Sequence, residues 1–282
     1  MRNSRFCSPA IPGIARVLLP VCLAVLGICT GLDAGSLSAI EILDECSKRN
    51  RVDSFRVGIE VKTFRRKAKA PDEFFFWLMG RTKQDLTCMF VEFREPARSK
   101  GLRFLFRFPE DGSPEGPEGY MYMSSTRTTI PLRMAGKSAD MGGTGLNMND
   151  FRGFVPSRGG AAKLVGQEKV SGLHCYVIQV AAGAGHGHSK YWISQERYLL
   201  VKSQKFSSKG EMLREFRVLS FFRTSGGKSW PREEEILDKR KNARIVIEQV
   251  AGAYNILLPT EIFGRATFGT AQWSSLPTDH GD

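Results

Sequence analysis

The sequence predicts a mainly β fold, of α+β class: a large antiparallel sheet curled into a partly closed barrel, with an N-terminal helix over the opening. Three observations carry this. From residue 53 onward, apolar residues alternate with polar ones at the two-residue period of a strand. The strand-like runs are joined by short polar or Gly/Pro stretches, as hairpins require. A sheet of about ten strands with aromatics on one face must curl or be covered, and one amphipathic helix ahead of the strands can cover it.

The chain begins with an export pattern. Arg2, Arg5 and Arg16 precede an apolar stretch, residues 17–32 (VLLPVCLAVLGICTGL), too short for a comfortable membrane span. We expect a signal over residues 1–34, with Ala34 or Ala39 as cleavage points, and a single domain over 35–282. Leu26-Gly27-Ile28-Cys29 has the form of a degenerate lipoprotein-processing site, in which Ile28 is larger than the usual small residue. Cys29 is therefore the candidate for lipidation, beside ordinary export.

Residues 36–48 carry the helix. Ser38 and Glu41 form a capping box, and Ala39, Ile42, Leu43 and Cys46 recur at helical spacing to give one apolar stripe. In the first strand Phe55, Val57, Ile59 and Val61 stand against Arg56, Gly58, Glu60 and Lys62. Residues 74–79 (FFFWLM) are apolar on both faces, and residues 86–93 (LTCMFVEF) nearly so. Leu102, Phe104, Phe106 and Phe108 alternate with Arg103, Leu105 and Arg107. Residues 109–119 (PEDGSPEGPEG) read as a solvent loop.

Residues 120–154 contain a strand from Tyr120, a basic Ser/Thr-rich segment ending in Pro131, and a Gly-rich turn over 141–145. A short helical start follows, where Asn147 and Asp150 form a cap-like pair ahead of Phe151. Strands resume at 163–168, 174–180, 191–193 and 199–206, then a turn at 207–210 and strands at 212–222, 230–234, 243–251 and 256–268. This makes about ten or eleven strands.

The formal charge of +12 over 282 residues admits nucleic acid, an anionic membrane surface or an acidic partner. Basic and aromatic residues interleave in Arg103-Phe-Leu-Phe-Arg107, a pattern that can serve single-stranded nucleic acid, but an exported protein meets little of it. We expect no nucleic acid; contact with anionic head groups, or solubility, explains the charge better.

Chemistry is sparse. After the signal Cys46, Cys88 and Cys175 remain, at spacings that match no zinc or CxxC pattern. They read as buried small hydrophobes, with a Cys88–Cys175 bridge as the alternative. His186 and His188 sit in a Gly/Ala-rich hairpin tip without the further ligands that a metal needs. His174 reads as a packed or surface strand residue. Of Asp140 and Asp150, one caps and the other faces water. Ser124 and Ser125 have no histidine near in sequence. The 141–145 turn lacks a Gly-Lys-Ser/Thr ending and is not a phosphate loop. No catalytic residue, metal or cofactor is expected, and the chain does not read as an enzyme.

Several stretches together resemble the LolA-like superfamily of bacterial outer-membrane lipoprotein-sorting proteins. Pro96, Gly101 and Leu105 match a P-x-x-x-x-G-x-x-x-L strand start. Tyr120-Met-Tyr122 matches the following strand, and residues 141–150 match a turn of the form M-G-S/T-D-F/L-S/T-x-x-D. Tyr191-Trp192-Ile193, Leu199, Lys205 and 210–213 are similar to a repeated hairpin of the family, and Trp230-Pro231, Asn255 and Phe263 fall where its last strands lie. The resemblance spans roughly residues 36–270. There are departures: Gly145 replaces the acidic residue of the turn, Met141 sits one residue early with Gly142 in its place, Ser194 replaces Asp, and Ser124 stands where Pro is frequent.

The resemblance implies a half-open β-barrel under the N-terminal helix and a short helical lid, enclosing an apolar cavity for lipid or lipoprotein acyl chains. It implies non-covalent transfer from an inner-membrane transporter toward the outer membrane, in the periplasm or at the cell envelope. We assign the lining to Phe74, Phe76, Leu102, Phe104, Phe106, Tyr120 and Tyr122, with Ile42 and Leu43 on the lid. Either alternation fits FFFWLM. The alternative function is a periplasmic sensor or accessory module that uses the same barrel to bind a protein partner or stress signal.

Overall fold

The computed structural model describes residues 37–83, 86–109, 116–132, 140–148, 150, 161–182, 187–224 and 226–273. The chain divides into two units, Met1–Ser36 and Leu37–Asp282. The first unit, with the expected signal, Ala34 and Cys29, lies outside the described residues. No helix among those residues is long and apolar enough to cross a membrane.

Helix α1 (Ala39–Asn50) starts where its capping box places it. Glu41 N donates to Ser38 Oγ at 3.3 Å, and Ser38 N donates to Glu41 Oε2 at 2.7 Å, so two otherwise unpaired amides are satisfied. Cleavage after Ala39, one of the two points expected, would remove this cap. The stripe of Ala39, Ile42, Leu43 and Cys46 is buried.

Thirteen antiparallel strands follow among the described residues: β1 (Ser54–Arg65), β2 (Asp72–Lys83), β3 (Leu86–Glu95), β4 (Arg103–Pro109), β5 (Glu118–Met123), β6 (Thr128–Leu132), β7 (Ala162–Val170), β8 (Leu173–Ala181), β9 (His188–Ser194), β10 (Leu200–Phe206), β11 (Met212–Arg223), β12 (Ser229–Asp238) and β13 (Ala243–Tyr254). They form one sheet in the order β6-β5-β4-β3-β2-β1-β13-β12-β11-β10-β9-β8-β7. Each strand pairs with its neighbour in sequence except at the seam of β1 with β13. β6 and β7 are the two edges, so the curled sheet stays open, as a half-open barrel requires.

Two expectations are corrected. The segment containing Pro131 is a strand, β6; as an edge strand it tolerates a proline that cannot donate to the ladder. Residues 256–268 are no strand. After Asn255 at positive φ, the chain leaves the sheet and makes a 3₁₀ turn, Thr260–Phe263, behind Pro259.

The strand pairings resolve which side chains share a face. Val57, Ile59 and Val61 oppose Leu78, Phe76 and Phe74; Phe76 opposes Phe93; and Phe104 and Phe106 oppose Val91 and Met89. These residues share an inner core with Ile236, Ile245 and Ile247 from the other half. Its centre is a run of phenylalanines: Phe93 lies 5.1 Å from Phe76 and 5.9 Å from Phe104, and Phe104 stacks on Phe106 at 6.0 Å. Gly80 is required here, because a Cβ would sit 2.2 Å from the Phe55 ring that covers it.

The outer face of β2–β5 carries a second core. Met79, Cys88, Phe90 and Leu105 are covered by Ile262, Phe263, Phe268, Ala271 and Trp273 from the C-terminal segment. That segment is held by charge. Arg103 Nη1 donates to the carbonyls of Phe268, Gly269 and Ala271 at 3.2, 2.7 and 3.0 Å, and Arg107 donates to that of Phe263. Trp273 Nε1 donates to buried Glu92 at 2.6 Å, whose carboxylate also meets Arg103 and Arg94. The Arg103–Arg107 pattern thus serves the chain's own backbone.

Cys46, Cys88 and Cys175 are free, buried and placed in three different clusters, which leaves Cys88 and Cys175 unbridged.

Removing the indole of Trp273 both empties core volume and takes a donor from a buried carboxylate. Trp273→Ala is expected to lower the unfolding free energy by about 3–5 kcal/mol, read from urea denaturation, and a loss below about 1 kcal/mol would mean that the segment does not hold this face.

Candidate functional site

The expected lining residues fall on three surfaces. Phe74, Phe76, Phe104 and Phe106 lie in the inner core, with Leu102 partly buried against it. Tyr120 and Tyr122 do not join them. They oppose Leu105 and Arg103 across the β4–β5 pairing, and so point outward, onto Phe268 at 6.4 and 6.5 Å. Met121, the residue between, takes the inner position beside Phe104. Ile42 and Leu43 pack on Ile178, Val180, Ile193 and Leu200, so α1 covers the inner face of β8–β10 and not that of β2–β4.

The inner face changes character toward β6. Phe76 and Phe93 are fully buried, as Phe104 and Phe106 nearly are, whereas Met89, Leu102, Met121 and Leu132 are only partly covered. Ile130, which opposes Met121 on β6, is 37% exposed. The apolar surface therefore runs from a filled centre to an open edge.

Over the middle of this face lies a glycine strap, residues 140–148 and 150. Met141 and Leu146 are plugged into the inner core, and the strap folds on itself: Met141 N donates to Leu146 O at 2.8 Å, and Gly145 N to Asp140 Oδ1 at 2.8 Å. Asn147 N donates to Asp150 Oδ2 at 2.7 Å, so Asp150 is the capping carboxylate. Asp140 is exposed and pairs with Lys241. Gly145 has φ +77°, and a Cβ there would stand 2.9 Å from Ile245 Cδ1, so only glycine lets the strap approach β13.

Side chains from the sheet grip the strap by its carbonyls. Thr63 Oγ1 donates to Thr144 O at 2.6 Å, Arg65 Nη2 to Gly143 O at 2.6 Å, and Arg214 Nη2 to Gly145 O at 3.2 Å. Arg214 also bonds Asp150 at 2.7 Å and Asp238 at 2.6 Å. Glu234, on the same face of β12 as Ile236, is 5% exposed, and its Oε1 has no hydrogen-bond partner among the described residues.

Two carboxylates, Asp150 and Asp238, thus pair with one guanidinium, and Glu234 is close enough to Asp150 to sense its charge. Burial, and then the charge of Asp150, push Glu234 up to about 8, and burial raises Asp150 against the pull of Arg214. Glu234 is accordingly a neutral acid at neutral pH.

None of these gripping residues was singled out from the sequence. Arg214 is 64 residues from Asp150, and Arg65 is 78 from Gly143. Only Glu234 left a trace: alternation with Ile236 puts one carboxylate of the 233–235 run on the core face.

Other candidates are placed as follows. Ser124 and Ser125 are exposed, and Ser124 Oγ donates to Lys100 O at 3.3 Å. The His188 ring stacks on Phe206 at 4.6 Å; His186 lies outside the described residues. His174 is exposed on β8. Among the described residues no group of three or more His, Cys, Asp or Glu is placed to hold a metal ion.

The profile of a protein family described as "Uncharacterized protein" matches residues 85–270. The chain belongs to that family. Comparison with curated proteins gives no sequence match. Solved structures give several matches. A DUF1329 family protein from Desulfovibrio piger superposes with TM-score 0.73 at 13% identity, covering 82% of this chain and 99% of that one. A proposed outer-membrane lipoprotein-sorting protein domain from Vibrio parahaemolyticus gives 0.72 at 13%, covering 82% and 98%. A LolA superfamily protein from Nitrosomonas europaea gives 0.61 at 18%, covering 82% and 99%. The fold is therefore LolA-like.

Two predictions follow from the strap. Gly145→Ala combines positive φ with a collision at Ile245 and is expected to cost about 1–3 kcal/mol, with faster hydrogen exchange over residues 140–150; unchanged exchange would contradict the close seat. For Glu234, a carboxyl that is harder to ionise when folded favours the fold while neutral. That stability is complete below the unfolded value near 4.5 and is lost as pH rises to about 8. Glu234→Gln should remove this loss, gaining roughly 3–5 kcal/mol over the unmutated chain above pH 8 relative to pH 4. Parallel stability–pH curves would refute it.

Proposed function

We propose that the protein is an exported carrier or binding protein for lipid or lipoprotein acyl chains, working by non-covalent uptake and release in the periplasm or at the cell envelope. One observation carries the reading. The inner face grades from a closed run of phenylalanines to the partly covered Met89, Leu102, Met121 and Leu132 beside the open edge at β6. Apolar side chains left half in water, two of them adaptable methionines, suit an acyl chain better than a fixed partner.

Transfer needs no bond making. It needs two states of the face that differ in affinity, and the strap plugged by Met141 and Leu146 is the element whose seating can bias them. Phe74, Phe76, Phe104, Phe106 and Leu102 would line the occupied state, with Met121 in the place expected of Tyr120 and Tyr122. Ile42 and Leu43 would hold α1 over the other half. An inner-membrane transporter as donor follows from the fold analogy alone.

A second reading, a module that binds a protein partner, is favoured by β7. Its residues from Lys163 to Lys169 are exposed, and it is an open edge that can accept an extended strand.

Protein extracted from membranes in mild detergent should carry lipid detectable by mass spectrometry, and a fluorescent acyl probe should compete with it. Met121→Trp should fill the half-open end and weaken probe binding about tenfold while changing stability by no more than about 1–2 kcal/mol. No lipid and no probe binding would sink the carrier reading and leave the protein-binding one.

A further inference from the structure

The seam between β1 and β13 brings two hairpins side by side. Arg65 opposes Ala243 across it, so the β1–β2 turn and the β12–β13 turn project from the same end of four adjacent strands. The first turn exposes Arg66, Lys67 and Lys69; the second exposes Lys239, Arg240 and Lys241. No acidic residue lies in either tip. The carboxylates near their bases are already engaged: Asp72 by Arg65 and Arg98, Asp238 by Arg214, and Asp140 by Lys241. The other five cations form no ion pair among the described residues.

We propose that these paired tips form a docking surface for an anionic lipid bilayer. Beside the cations the tips carry only Ala68, Ala70, Pro71 and Asn242, and the exposed Phe64 at their base is partly covered by the Arg244 guanidinium, so the tips offer no aromatic or large apolar anchor of the kind that centres a protein interface. Four of the six cations are lysine, which protein interfaces disfavour. Compact ammonium charges on short turns suit a fluid layer of phosphate head groups, whose positions adjust to them. The tips also flank the strap, gripped by Arg65 and Lys241, so docking would set the covered apolar face close to the lipid. The inference does not depend on an acyl cargo, because a protein-binding module could use the same surface.

Vesicle sedimentation of the full chain tests it, with phosphatidylcholine vesicles giving the charge-independent baseline and phosphatidylglycerol-containing vesicles the signal. The unmutated chain should bind the anionic vesicles more tightly, and added salt should weaken this excess. Together, Lys67→Glu, Lys69→Glu, Lys239→Glu and Arg240→Glu should reduce it about six-hundredfold or more, at about fivefold per cation lost. An equal change at the opposite end of the sheet, Lys48→Glu with Lys83→Glu, Lys169→Glu and Arg223→Glu, should reduce it less than about tenfold. Equal losses in both variants, or no excess binding to anionic vesicles, would overturn the proposal. So would a tip variant that keeps vesicle binding but loses retention on immobilised polyglutamate, since that outcome puts an acidic protein in the bilayer's place.

Discussion

The pairing of β1 with β13 is the constraint on which everything else rests. It runs from Phe55 opposite Tyr254 to Arg65 opposite Ala243, with one bulge beside Gly58. Every other strand pairing joins neighbours in sequence, so without this seam the chain would be two separate meanders with four free edges. With it, the phenylalanines of β2–β4 and the aliphatics of β12–β13 belong to one core. At one end of the seam Phe55, Trp230 and Tyr254 close the core with ring contacts of 5.7 and 5.2 Å. At the other, Arg65 reaches the strap.

A wide sheet has two apolar faces to protect, and the protein covers them by different means. Inside, α1 and the strap each cover a part and leave the approach to β6 only partly covered. Outside, the C-terminal segment seals β2–β5 with aromatic rings, while three arginines and a buried glutamate hold its backbone and its last tryptophan. The strap is seated by Met141 and Leu146 in the inner core and by single bonds to its carbonyls from Thr63, Arg65 and Arg214. The outer cover has bonds from Arg103 and Arg107 to its carbonyls as well as five buried apolar residues of its own. The two covers differ in extent: the outer one seals its face, and the inner one stops short of β6.

The sequence announced the local features and hid the distant ones. A capping box and a helical stripe are complete within a dozen residues, so α1 could be placed from Ser38, Glu41, Ile42 and Leu43 alone. β1 declared its faces by alternation. FFFWLM could not, since both faces are apolar, and only its pairing with β1 sends Phe74, Phe76 and Leu78 inward. The same parity decides against Tyr120 and Tyr122: one residue of register exchanges them with Met121. β6 was obscured by Pro131, which is tolerated because the strand is an edge. The grip on the strap was illegible, because the residues it joins are 64 to 81 apart and share no local pattern.

The C-terminal clasp bears on the order in which the chain can fold. Met79, Phe90 and Leu105 lie in the first half of the sequence, yet their cover comes from residues 262–273. The seam likewise waits for β13. A chain emerging from its N-terminus holds its richest aromatic strands long before it holds what shields them, so it cannot complete either core until nearly all of it is present. Contacts that span so much of the chain slow folding. Late closure keeps both faces of β2–β4 uncovered until the last turn arrives.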